Sequence, residues 1–399
     1  AALASPRHRQ LRGLAAVRLD GGDLYFRCLL FWLNFTPWGF RWSLDARTHP
    51  PSQGAKTHWD LGAMGYVWQL TLTYGFCYLL KTGPEWRVLG NAAQNALMVD
   101  FITTPLAPWL RAHPELVKML SFGVLYFEAA VPFLLWIHPW TRLLAIVGIT
   151  SLHLGLGLFL HLGAFALVAA TCSWGLIPSF VWDRFSKTSS PNQTVTGALK
   201  WPIQILLLYL MLRTTQWNLW VMRGYTTAPN PADLQILRLD QKWNMFAPRP
   251  ITEDGYFVFV GETQDGKWVD PWIVGDGQVR WQKPDYVAST FPDARWRKLL
   301  TNLADPVQEA WRPYLLEYLS KRWEKRNPQQ PLRCLRMYFV VEDLNPDGTE
   351  KELTVRLLAY HGGRGQRSLE KSPPQTTLES GLELIQSLQG AQPVARKAP

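Results

Sequence analysis

The sequence predicts an α-helical multi-pass membrane domain followed by a smaller extramembrane α+β domain. Long apolar runs fill the chain to about residue 222, and closely spaced charges, Gly and Pro follow. A mean hydropathy of −0.09 and 18% charged residues average over that split. Several of the 21 Trp, among them Trp38, Trp109, Trp136, Trp140, Trp201 and Trp217, flank apolar runs, as side chains of a membrane–water interface do. A chain of 399 residues also leaves room for two domains.

Roughly 20 apolar residues cross a bilayer. Leu24–Trp38 is a short candidate interrupted by Arg27 and Asn34, and Ala63–Leu80 is a better one. Leu116–Ile137 ends at His138-Pro139. Leu143–Leu160 and Gly163–Phe180 form one long run broken near His161-Leu-Gly163, either a tight hairpin or a span with a re-entrant piece. Leu199–Val221 closes a set of about six crossings, and Trp86–Pro114 is a Pro-bearing loop with room for a short interfacial helix.

Basic residues in the short loops set the orientation. With the C-terminal domain outside the cytoplasm, the inner loops hold Arg41, Arg47, Lys56, Arg142, Arg184, Lys187 and Lys200, and the outer loops only Arg87 and Arg111. The basic stretch Arg7, Arg9, Arg12 and Arg18 runs against that assignment. The expected location is a bacterial cell membrane, with membrane lipid as surroundings. The net charge of +10 is not gathered into a basic stripe with base-stacking aromatics, so no nucleic-acid partner is expected. The chain opens Ala-Ala-Leu-Ala-Ser-Pro without a signal-peptide layout, and earlier spans are expected to precede it. Cys28, Cys77, Cys172 and Cys334 include no Cys-x-x-Cys and read as small apolar residues.

Ionisable groups inside apolar segments are costly and point to function. Lys81 follows the Ala63–Leu80 run, with Gly83-Pro84-Glu85-Trp86 directly after it. It either snorkels to the membrane surface or is held inside as a reactive base. Tyr74, Cys77 and Tyr78 share its helical face, so the ammonium is expected among semi-polar side chains in a cavity. Glu128 and His153 lie near the middle of their spans and are expected to be hydrogen-bonded neighbours. Pro132 cannot donate to the Glu128 carbonyl and should kink the helix. His161 lies two turns beyond His153, roughly 12 Å along a helix, so the two cannot share a metal ion, and no metal ligand set is expected.

In the polar half, Gln241–Pro250 reads as a segment returning to the membrane surface, with a simple packing turn as the alternative. Gly255–Ile273 reads as a β-hairpin turning at Asp265-Gly266. Ala294–Arg326 is an amphipathic helical stretch broken at Pro306 and Pro313. Leu335–Asp343 and Glu352–Tyr360 form a second hairpin. The domains are thus 1–222 and 223–361, and the Gly/Ser/Gln/Pro-rich tail 362–399 is expected to be disordered.

Tyr74-Gly-Phe-Cys-Tyr-Leu-Leu-Lys81-Thr-Gly-Pro-Glu-Trp86 resembles the Tyr-x6-Lys-x4-Trp segment of vitamin K-dependent γ-carboxylases and their bacterial HTTM-domain relatives. Trp42-Ser43-Leu-Asp45 is similar to that family's Trp-Ser-x-Asp, and Trp243-Asn-Met245 to its Trp-Asp-Met. Glu128 and His153 fall where the family has an acidic residue and a His. The resemblance runs collinearly from about residue 24 to 275. It implies that Lys81 is a general base toward vitamin K hydroquinone or another quinol, with Glu128 and His153 also catalytic. Ser43, Asp45, Tyr74, Cys77, Tyr78, Trp86, Trp243 and Met245 are then substrate- or cofactor-binding. In that family, oxidation of the quinol drives removal of a γ-proton from a substrate Glu before CO2 adds. The segment from 21 to 48 lacks the His that the animal enzyme carries there, and the polar domain is much shorter. Two classes follow: a quinol-dependent membrane enzyme with a protein substrate, or a non-catalytic protein that binds quinone or lipid or partners a redox enzyme. A transporter is a weaker third, because no internal repeat is visible.

Overall fold

The computed structural model describes residues 21–36, 44, 61–185, 200–224, 232–274, 276–343, 353–362 and 376–377. The first half is helical: α1 (Gly21–Leu33), α2 (Leu61–Leu80), a π-helical turn (Glu85–Leu89), α3 (Ala92–Met98), α4 (Ala107–Arg111), α5 (Pro114–Ile137), α6 (Pro139–Phe159), α7 (Phe165–Cys172), α8 (Ser179–Trp182) and α9 (Lys200–Met222). Helix α2 is central and packs on α1, α5 and α9, while α6 joins α5 to α7. Its buried residues, including Tyr66, Leu70, Leu72 and Phe76, face all sides, as a helix enclosed by others requires. A Cβ on Gly65 would sit 2.1 Å from the Trp32 ring, so only glycine lets α1 approach this closely.

Helices α5 and α6 are long and apolar enough to cross a membrane. Proline at the start of each removes an N–H that would be unpaired there anyway. The connection is one residue, His138, whose side chain accepts from Trp140 N while Thr141 Oγ1 accepts from His138 N. Helix α5 is continuous through Pro132, so the proline does not end it. The Gly163–Phe180 run is not one span. It divides into α7, a 3-10 turn (Ser173–Leu176) and α8, and Pro178 at the entry to α8 has no N–H with which to continue the preceding helix.

The second half holds α10 (Ala232–Ile236), β1 (Glu253–Thr263), β2 (Trp268–Val269), α11 (Ala294–Ala304), α12 (Arg312–Arg326), β3 (Leu332–Asp343), β4 (Thr354–Gly362) and β5 (Thr376–Thr377). The sheet is antiparallel in the order β2-β1-β3-β4-β5, with Gly255 opposite Val341 and Leu335 opposite His361. Both expected hairpins are present, and Gly266 takes the positive φ of 81° that its turn needs. Leu299, Leu303, Leu315 and Leu319 of α11 and α12 join Val258, Met337 and Val340 in one core. Pro306 opens a 3-10 turn between the helices, whereas Pro313 lies in the first turn of α12 and starts that helix instead of breaking it. The tail expected to be disordered lies outside the described residues, except that Thr376–Thr377 pairs with Val355 and Thr354 at the sheet edge.

The two halves share that core. Leu97, Val99, Phe101, Ile102 and Leu110 of the 86–114 segment pack into the cluster of the sheet. Asp254 on β1 accepts from the backbone N–H of Asp100 at 2.9 Å, and burial pushes its carboxyl up to about 7. Asp100, Asp254 and Glu342 bring ligand oxygens within 4.8 Å of one another. The ammonium of Lys283 sits 2.8 Å from Asp100 and 2.5 Å from Glu342, a cation already in place among them.

Candidate active site

Lys81 directly follows helix α2, and the face it continues is set by 100° per residue. Cys77, Tyr74 and Thr73 stand four, seven and eight positions before Lys81 and share that face. With Lys81 they line a cavity of about 260 Å³ bounded by α3, α5, α6 and α7. Tyr78, three positions before Lys81, points to the other side. It does not line the cavity and lies instead beneath the Arg87 guanidinium, 4.8 Å from its ring centre.

Lys81 is 3% exposed, and its Nζ donates to both oxygens of Glu128, at 2.9 and 2.7 Å. The snorkelling reading is therefore excluded for this side chain: it turns inward. The expected Glu128–His153 hydrogen bond is replaced by two other pairs, for His153 Nε2 meets the Tyr74 hydroxyl at 2.9 Å. A buried carboxylate gains more from an ammonium than from a neutral imidazole, which can offer only one N–H. His153 is 5% exposed, and its Nδ1 is buried without a hydrogen-bond partner among the described residues. The Lys81 Nζ also lies 5.0 Å from the centre of the Trp86 ring, which forms part of the cavity wall.

The segment after α10, read from the sequence as returning to the membrane surface, covers the cavity. Met245 and Phe246 line it. Trp86 Nε1 donates to the Phe246 carbonyl at 2.8 Å, and Gly83 N to the Pro248 carbonyl at 2.9 Å. Trp243 does not reach the cavity. It is an anchor, buried with its Nε1 donating to Gln241 Oε1 at 2.6 Å. Gln241 Oε1 also accepts from Gln69 Nε2 at 2.7 Å, and its carbonyl accepts from Trp217 Nε1 at 2.7 Å.

Of the residues expected at the site, Lys81, Glu128, His153, Tyr74, Cys77, Trp86 and Met245 come together, while Ser43 and Asp45 lie outside the described residues. Tyr25 of α1 and Phe165 of α7 complete the wall and had no sequence signal beyond an apolar run. Gln69 did have one, as an amide inside an apolar span. Chemically, the site is an ion pair and a half-partnered imidazole on the wall of an otherwise apolar chamber. No family model, no curated protein and no solved structure matches the chain.

Proposed function

We propose that this chain is a multi-pass membrane protein that binds a quinol-like lipid in the Lys81 cavity and uses the Lys81–Glu128 pair to take a proton from it. The observation that carries this reading is the buried ion pair facing a largely apolar chamber, on whose wall His153 Nδ1 lacks a hydrogen-bond partner among the described residues. A ring with two oxygen functions fits such a chamber: apolar walls for the ring, the ion pair for one oxygen and His153 for the other. A bound quinol supplies an acidic O–H and two electrons for an oxidant.

Lys81 and Glu128 together carry no net charge while they share one dissociable proton. A further proton, on Nζ or on a carboxyl oxygen, leaves one positive charge at the cavity wall, fixed where it stabilises a neighbouring anion. The pair therefore acts as the base that the resemblance assigns to Lys81 alone. A paired ammonium is also what a non-catalytic quinone-binding protein would hold, which keeps that second reading open to test. In an assay with a reduced naphthoquinol and oxygen, the full chain is expected to oxidise the quinol. Lys81→Met/Glu128→Gln, which removes both charges together, is expected to bind the naphthoquinone yet leave the quinol reduced. Oxidation undiminished in that variant removes the catalytic reading, and a wild-type chain that binds no quinone removes both.

The multi-pass reading is supported by apolar side chains turned outward on helices besides α5 and α6, such as Ile205, Leu208 and Leu212 on α9 and Leu167 on α7. Arg41, Arg47, Lys56 and Arg142 favour an arrangement with the C-terminal domain on the non-cytoplasmic side of a bacterial cell membrane. A cysteine at Asp265, in the exposed turn, should then react with an impermeant maleimide in intact cells. Labelling only after lysis would reverse the orientation.

A further inference from the structure

Among the described residues, the cavity is most open on one side. Most of its lining is buried: Lys81, Trp86, Glu128, His153, Leu97 and Leu160 are each under 9% exposed. The exposed residues of the lining are Leu120 on α5, at 42% exposure, and Ser151 on α6, with half-buried Val124, Leu152 and Gly155 beside them; Ala93, Phe165, Met245 and Phe246 are half-buried on the other walls. The packing between these helices explains the gap. Near the hairpin they touch, since a Cβ on Gly148 would come within 2.4 Å of the Phe127 ring. Toward the other end a Cβ on Gly123 or Gly155 would meet nothing within 4 Å. The helices are thus pinned at Phe127–Gly148 and part from there, leaving a slot that leads from the cavity to the outside.

The slot opens between the two helices whose length and composition suit a membrane span, and their exposed neighbours are Met119, Tyr126, Leu154 and Leu158. It faces hydrocarbon, not water, if these helices cross the bilayer. At about 260 Å³ the cavity is smaller than the roughly 300–1,000 Å³ typical of pockets that enclose a whole ligand. A ring with a long substituent would need more than this space.

Building on the proposed quinol-like ligand, we infer that the cavity is loaded sideways from the bilayer between α5 and α6. The ligand carries a linear apolar chain, polyprenyl or alkyl, that stays in this slot while the ring occupies the cavity. Ser151 and Gly155 are the positions that select for the chain. Their small size keeps the slot open, and its apolar walls pack against the chain where a polar substituent would find no partner.

Gly155→Leu tests this. Its Cβ has space, and leucine favours a helix over glycine, so the fold should hold. Binding of two probes to the purified full chain is compared by equilibrium dialysis: menaquinone-4, which has a polyprenyl chain, and menadione, the same ring with only a methyl. The variant is expected to bind menaquinone-4 at least about tenfold more weakly and menadione within about twofold of the wild type. Equal loss of both probes, or loss of neither, overturns the slot. A wild-type chain that binds neither probe overturns the quinol reading itself, a distinguishable result. As a measurement independent of Gly155, Ser151→Cys should be protected from a membrane-soluble maleimide by menaquinone-4 and not by menadione, with the wild-type chain as the labelling blank. Protection by both or by neither counts against the slot.

Discussion

Lys81→Met is expected to destabilise the protein by about 3–5 kcal/mol, the range for removing one partner from a buried ion pair. Glu128 would be left in an apolar cavity with both oxygens deprived of their ammonium. Adding Glu128→Gln removes the stranded charge, and the double variant should recover most of that loss without recovering quinol oxidation. Thermal unfolding in detergent reads the first effect, and the oxidation assay the second. Two outcomes would contradict the geometry. An unchanged melting temperature in Lys81→Met would mean the pair is not buried, and a double variant as unstable as the single one would mean the cost is not that of an orphaned carboxylate. Glu128→Gln alone should be milder, because the amide oxygen still accepts from Lys81.

Gln241→Leu is expected to be nearly as damaging, although it touches neither the cavity nor the ion pair. One side chain holds the Trp243 indole and the Gln69 amide at a depth where water does not replace it. Leaving both unpartnered costs about 1–3 kcal/mol each. The covering segment that contributes Met245 and Phe246 begins at this anchor, so loosening it should also weaken naphthoquinone binding by about tenfold. Gln241→Leu with wild-type melting and wild-type binding would show that Trp86 Nε1 and Gly83 N hold the cover unaided.

Much of the fold was legible along the chain. Apolar runs marked α2, α5, α6 and α9 to within a few residues, because a helix enclosed by others or by lipid must be apolar whatever it packs against, but the Gly163–Phe180 run hid the break into α7 and α8. Asp265-Gly266 marked a hairpin because only a residue free to take positive φ turns a strand so tightly. The strand order was not legible. The pairing of β1 with β3 joins segments about 70 residues apart, and each would alternate in the same way beside any other partner.

At the site, the sequence by itself determined which groups had to be exceptional. Lys81, Glu128 and His153 stand in apolar surroundings, where an ionisable side chain must find a partner or a role. It also marked Gln241–Pro250 as a non-helical return toward the membrane surface, since Pro248 and Pro250 break a helix. Only the tertiary structure decided who partners whom. Helical spacing places Tyr78 about as near to Lys81 as Cys77, and the 100° between these neighbours turns one toward Arg87 and the other into the cavity. Depth along the spans suggested Glu128 with His153. The packing of α5 against the end of α2 gave Glu128 an ammonium instead, and left His153 to Tyr74 with one nitrogen free. Charge pairing outweighs a neutral hydrogen bond in low dielectric, and which charge lies within reach is settled by helix packing, not by position in the chain.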